Sequence, residues 1–108
     1  MACTLTTRTE GEAEVLMFDG AIDTMAAQQI APRVKEAFLS GAKKLVFDLS
    51  QVSFVASQGL GMFVSAVQSF PGKVIFAAPQ PYVRQTLKLA QFERIATLTK
   101  TVDEALAS

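Results

Sequence analysis

Ser57 is the residue in this chain best placed to carry chemistry, because of what stands on either side of it. Residues 46–61 read VFDLSQVSFVASQGLG: an apolar strand, a short loop, the serine, then glycines opening an apolar helix. The first N–H groups of a helix lack intrahelical partners and carry a partial positive charge, so an anion there is stabilised. Ser57 can cap the helix through its side-chain oxygen, or it can accept a phosphoryl group. Both readings are open on the residues alone. An acceptor hydroxyl needs an exposed, ordered turn, because phosphoryl transfer depends on holding it in line with the γ-phosphate of ATP. Gly59 and Gly61 carry no side chain beyond hydrogen and would allow a close backbone approach or close helix packing.

Other chemistries are narrowed by composition. The 108 residues include no histidine and a single cysteine, Cys3. This excludes an internal disulfide, a cysteine-based metal cluster, a zinc–histidine site and any histidine-dependent triad. With no phosphate loop of known spacing and no evident nucleophile–base pair, no catalytic residue, metal or cofactor is expected. The formal net charge is zero. The isolated pair Lys43–Lys44 reads as solvated, so no nucleic-acid partner is expected. Half the residues are hydrophobic and 19% are charged, which suits one packed domain over residues 1–108. The stretch MACTLTTRTE has no basic segment followed by an apolar core, and every apolar run falls short of the roughly 20 residues of a membrane span. A soluble, cytoplasmic chain without a signal peptide is the expectation.

The elements that must position Ser57 follow from patterning. Residues 3–8 and 13–18 flank the polar break Glu10-Gly11-Glu12 and suit a hairpin at a sheet edge. Ala26, Ile30, Val34 and Phe38, with Ala27 and Ala37 beside them, predict a helical apolar face. Asp23 or Thr24 is the candidate N-cap and Gly41 the stop. Pro32 conflicts with a helix interior, so a bend or an irregular first turn near Ala31 is expected. Residues 44–49, KLVFDL, read as a strand covered on both faces. Leu60, Phe63, Val64 and Val67 mark a helix ending before Pro71-Gly72, and residues 74–78 another buried strand. Pro81 opens a further helix with Val83, Leu87 and Ala90 inward. Residues 95–98 suit a last short strand. Thr101 and Glu104 have capping-box spacing before a helix reaching Ala107. The order β-β-α-β-α-β-α-β-α predicts an α/β fold with a mostly parallel sheet of four to five strands, an antiparallel N-terminal hairpin and about four helices. Phe47, Phe54, Phe63, Phe70 and Phe76 are read as core, and Asp48 as a partner for loop N–H groups.

Taken in order, Gly20-x-Ile22-Asp23, Phe47-Asp48-Leu49-Ser50, residues 54–61 (FVASQGLG) and Asp103-Glu104-Ala105-Leu106 resemble the STAS domain family. The likeness covers nearly the whole chain and is closest to its stand-alone bacterial anti-sigma factor antagonists. The resemblance implies a phosphorylated substrate rather than an enzyme. In that family the antagonist binds an anti-sigma factor that is itself a serine kinase with its own ATP site. A phosphatase of the PP2C type restores the unphosphorylated form. The family pattern D-S-[ST]-G-L-G places the acceptor on Ser57, and Asp23 on a position beside it at the kinase-facing surface. The implied partner-binding residues are Asp23, Thr24, Ala56, Ser57, Gln58 and Gly59. Two positions depart from the pattern: Ala56 replaces the aspartate before the acceptor, and Gln58 replaces the small hydroxyl residue after it.

Two other functional classes compete. STAS-like domains also occur as accessory subunits docked on the ABC transporter ATPase of lipid transport systems, where no phosphorylation cycle is needed. An enzyme on a flavodoxin-like scaffold is disfavoured by the missing catalytic pairs.

Overall fold

The computed structural model describes residues 3–108. Strands β1 (Thr4–Glu10) and β2 (Ala13–Ile22) form the expected antiparallel hairpin, with Glu10 opposite Ala13 across the turn. Strands β3 (Lys44–Val55), β4 (Lys73–Ala77) and β5 (Thr97–Thr99) extend the sheet in parallel, in the spatial order β1-β2-β3-β4-β5. A sheet that advances one strand at a time through right-handed crossovers places the connecting helices on one face.

Those helices are α1 (Thr24–Ala27), α2 (Ile30–Leu39), α3 (Ser57–Ser69) and α4 (Pro81–Leu89). They share a core cluster with Leu16, Phe18, Leu45, Phe47, Leu49 and Phe76 of the strands. A fifth helix, α5 (Val102–Ala107), packs Ala105 on the other face against Ala13, Val15, Val46, Ile75 and Ala77. The centre of the larger cluster is aromatic. Phe47 stacks on Phe76 with ring centroids 5.0 Å apart, Phe63 tilts onto both, and Phe92 meets Phe63 and Phe76 edge-on. Offset and edge contacts of this kind add to the area they bury.

Where local signals were strong they hold. Gly41 lies left-handed at φ 87°, and the bonds Gly41 N–H to Phe38 O and Ala42 N–H to Ala37 O close α2 in a Schellman motif. Pro81 is the first residue of α4, and Val83 and Leu87 are buried beneath it. Thr101 Oγ1 accepts from the Glu104 N–H at 3.0 Å and starts α5.

Several expectations are corrected. The single helix expected after Thr24 is two, broken at residues 28–29. Pro32 falls in the first turn of α2, where its missing N–H has no helical partner to lose. Phe38 is 53% exposed while Ala37 is buried. A four-residue spacing drifts about 40° per step from the helical repeat, so by Phe38 the series from Ile30 has turned off the core face. Ala90 lies beyond the end of α4 and is exposed, and the last strand begins at Thr97, after a 3-10 turn over Phe92–Arg94.

Lys44 is not a solvated surface charge. Its Nζ donates to the main-chain oxygens of Ala105, Leu106 and Ser108 at 3.2, 2.9 and 2.6 Å, which caps the negative end of α5. Replacing Lys44 with Met keeps the aliphatic stem and removes the cap. Urea unfolding should then show a loss of about 1–2 kcal/mol, with amide exchange rising first in α5.

Candidate functional site

β3 is longer than the apolar run that announces it. Residues 50–55, expected as a loop, continue the strand alongside the far half of β2. The pairing steps from Met17–Asp48 to Asp19–Gln51, and again from Gly20–Val52 to Ala21–Phe54. At each step β3 carries one residue more than β2, as in a β-bulge. The two extra residues change the inward period from two to three, so Leu49, Val52 and Val55 all face the main core. Asp48, 5% exposed, accepts from the Ser50 N–H at 3.0 Å and satisfies the backbone at the first shift. This is the structural role expected of it.

The strand ends bring the predicted site residues together. Ile22 pairs with Val55, and the Ala56 N–H donates to Ile22 O at 2.9 Å. The turn at Asp23 and Thr24 therefore lies beside the turn at Ala56, Ser57 and Gln58. This is the carboxyl edge of the parallel strands, where open α/β sheets present their sites. Asp23, Thr24, Ser57 and Gln58 are exposed and Ala56 is half-buried.

Asp23 caps α1, its Oδ1 accepting from the Ala26 N–H at 2.9 Å. That bond holds the carboxylate in one orientation at the rim. Ser57 does not cap α3. The cap position falls on Ala56, whose methyl cannot accept a hydrogen bond, and Ser57 is the first helical residue. The first backbone bond of α3 runs from the Leu60 N–H to Ala56 O at 3.1 Å. The N–H groups of Ser57, Gln58 and Gly59 consequently have no intrahelical acceptor. Ala56 makes no side-chain cap bond, and the first turn of this helix has no acidic residue.

Gly59, expected among the partner contacts and also open to a role in helix packing, is buried. A Cβ there would lie 2.9 Å from Val55 Cγ1 and 3.0 Å from Ile22 Cγ2, so its bare backbone lets α3 start directly over the strand ends. Gly61 faces open space and packs against nothing. Phe54 is also corrected. It was read as core, but the second register shift turns it outward to 43% exposure, where its ring stacks on Tyr82. Neither Phe54 nor Tyr82 stood out in the sequence as a surface residue. The period-three spacing of Leu49, Val52 and Val55 was the available signal.

Cys3 adjoins this end of the sheet. Burial pushes its thiol up, the carboxylates of Asp23 and Asp19 add repulsion, and a backbone hydrogen bond at Asp19 partly opposes them. Among the described residues there is no group of three or more Cys, Asp or Glu side chains that could hold a metal ion. No helix there is long and apolar enough to cross a membrane.

The fold agrees with known proteins. The STAS domain model matches residues 4–105, and the chain belongs to the STAS domain family. An anti-sigma factor antagonist from Mycobacterium paratuberculosis superposes with a TM-score of 0.87 at 24% identity, over 98% of this chain and 92% of that one. An anti-sigma-factor antagonist (STAS) domain protein from Planctomyces limnophilus gives 0.82 at 20% identity, over 95% and 94%. The Bacillus cell fate determinant SpoIIAA in its phosphorylated form gives 0.75 at 20% identity, over 96% and 97%. At these identities the likeness establishes the SpoIIAA-like fold.

Two experiments check this geometry. Gly59→Ala should destabilise the chain by about 1–3 kcal/mol through overpacking, while Gly61→Ala should stabilise it by about 0.5–1 kcal/mol, both read from chemical denaturation. Asn also caps helices well, so Asp23→Asn should preserve α1 while removing a negative charge near Cys3. The Cys3 pKa should fall, and iodoacetamide labelling at a fixed pH near 8 should become faster than in the unchanged chain.

Proposed function

We infer that this chain is an anti-sigma factor antagonist, a protein-binding switch controlled by phosphorylation of Ser57. The observation that carries the reading is the state of the Ser57 turn. The serine is exposed at the first position of a helix whose cap residue has no side-chain acceptor. Its hydroxyl is not engaged in capping, unlike the side chains of Asp23 and Thr101 at their own helices. The family, together with neighbours named as anti-sigma factor antagonists, supports the same reading. The partner is then an anti-sigma factor serine kinase supplying its own ATP site, with a PP2C-type phosphatase reversing the modification in the cytoplasm.

The mechanism follows from charge and place. Phosphate adds roughly −1.5 to −2 charges at pH 7. On Ser57 that charge meets the unpartnered N–H groups of its own helix, so the folded chain accommodates it. With Ala56 in place of the family's aspartate, no carboxylate on the adjacent residue opposes it. A bound partner, by contrast, would have to bury the new anion against its own surface, which is costly without a compensating cation. Phosphorylation therefore acts on binding and leaves the fold intact.

The test is affinity capture from the native cytoplasm, with mass spectrometry of both the bait and what it retains. An anti-sigma serine kinase recovered with Ser57 phosphate in part of the bait would support the switch. An ABC transporter ATPase recovered with unmodified Ser57 would replace it with the docking-subunit reading. Ser57→Ala should retain the kinase and block phosphate incorporation. Ser57→Asp should release the kinase while thermal melts show stability unchanged or raised by about 0.3–1 kcal/mol, the sign expected for an anion at a helix N-terminus.

A further inference from the structure

Two aromatic rings stand exposed at the same end of the sheet as Ser57. Phe54 is 43% exposed and Tyr82 60%, and they stack with centroids 6.5 Å apart and planes 22° from parallel. Single apolar side chains on a surface are ordinary. This pair is different because several features hold it in place. The second register shift of β3 turns Phe54 out, opposite Ala21 of β2. Gln80 Nε2 donates to Ser50 O at 2.9 Å and ties the start of α4 to β3. Pro79 and Pro81 restrict the connecting backbone. Ala78, which opens that connection, is left-handed at φ 55°, a conformation that a residue with a Cβ rarely adopts. Backbone strain of this kind persists where the surroundings impose it and collects at functional sites.

The surroundings are also poor in charge. Residues 23–25, 53–58 and 79–82 make up the three strand-to-helix junctions at this edge, and Asp23 is the one charged residue among them. Aromatic anchors with charge depleted around them mark the centres of protein interfaces. Continuity decides the occupant. A kinase that holds the Ser57 hydroxyl in line with ATP must cover the turn that carries it, and Phe54 lies three residues earlier on the same strand end. We propose that Phe54 and Tyr82 anchor the interface with the anti-sigma factor kinase, gripping an uncharged apolar face of that protein while its active site reaches Ser57. This rests on the reading of Ser57 as the acceptor. It also explains how phosphate would release the partner, because the anion would be buried beside rings and amides with no Lys or Arg among residues 23–25, 53–58 and 79–82 to meet it.

The test uses the purified kinase identified by capture, with calorimetric binding and steady-state phosphorylation of Ser57. Tyr82→Ala and Phe54→Ala should each weaken binding about tenfold or more. Both should raise KM for phosphorylation and leave kcat unchanged, since they remove grip and not chemistry. Phe38→Ala removes a ring of similar exposure on α2 and should change neither quantity. Thermal melts establish that each variant is folded. Tyr82, on the exposed first turn of α4, carries the test alone if Phe54→Ala unfolds. Wild-type affinity and KM in the aromatic variants would overturn the proposal while leaving Ser57 as the acceptor. Failure of the unchanged chain to bind or be phosphorylated would overturn the acceptor reading, and the proposal with it. A self-associated form in sedimentation that Tyr82→Ala abolishes would assign the pair to a second copy of this chain and overturn the kinase interface.

Discussion

The parallel pairing of β2 with β3 is the constraint on which the rest of this molecule depends. Neither strand is regular over its full length, because β3 carries an extra residue at each of two register shifts. Without those residues the period-two alternation would alternate Val52 and Val55 between opposite faces. With them, Leu49, Val52 and Val55 all reach the core, and the strand continues beyond the part that pairs with β4. The far halves of β2 and β3 thus project together past the sheet, carrying Asp23 and Ser57 on adjacent turns. Bulges bend and twist a strand and re-aim its side chains. Here the side chain re-aimed outward is Phe54.

Of the five helix starts, those of α1 and α5 carry a side-chain cap and those of α2, α3 and α4 do not. Asp23 and Thr101 each accept a hydrogen bond from the backbone of the helix they precede. At α3 the same position is Ala56, and the helix is held instead by contact, Gly59 lying against Ile22 and Val55. Packing from a buried apolar face supplies most helix stability in a protein, so a missing cap is affordable there. What it leaves is a positive helix end in solvent with a hydroxyl on its first residue. The departures from the family pattern at Ala56 and Gln58 leave that arrangement intact, since neither residue is needed to hold the turn.

The candidate site is an exposed edge that the sheet holds in place. One carboxylate, one hydroxyl and two aromatic rings project from three strand-to-helix junctions that the sheet holds at fixed spacing. Under the proposed switch, a phosphate on Ser57 would stand out at this charge-poor edge, because Asp23 is the one charged residue among residues 23–25, 53–58 and 79–82. Rigid connections, Pro79 and Pro81 on one side and the Asp23 cap on the other, mean that a partner would order little on binding, which lowers the entropic cost of association.

Much of this was legible in the chain itself. The antiparallel hairpin, Gly41 as a helix stop, Pro81 as a helix start, the Thr101 cap and the Asp48 backbone contact all depend on interactions spanning a few residues, and the local sequence determined them. So did the candidacy of Ser57, whose neighbours announce a strand-to-helix turn. Tertiary structure decided the rest, for one physical reason: each outcome depended on which distant backbone lay alongside. Lys44 became a cap because α5, far along the chain, ends beside it. Gly59 became a packing residue because the ends of two strands run beneath it, and Phe54 an exposed ring because β2 set its register. Ser57 was released from capping because the helix began one residue earlier than its side chain could serve.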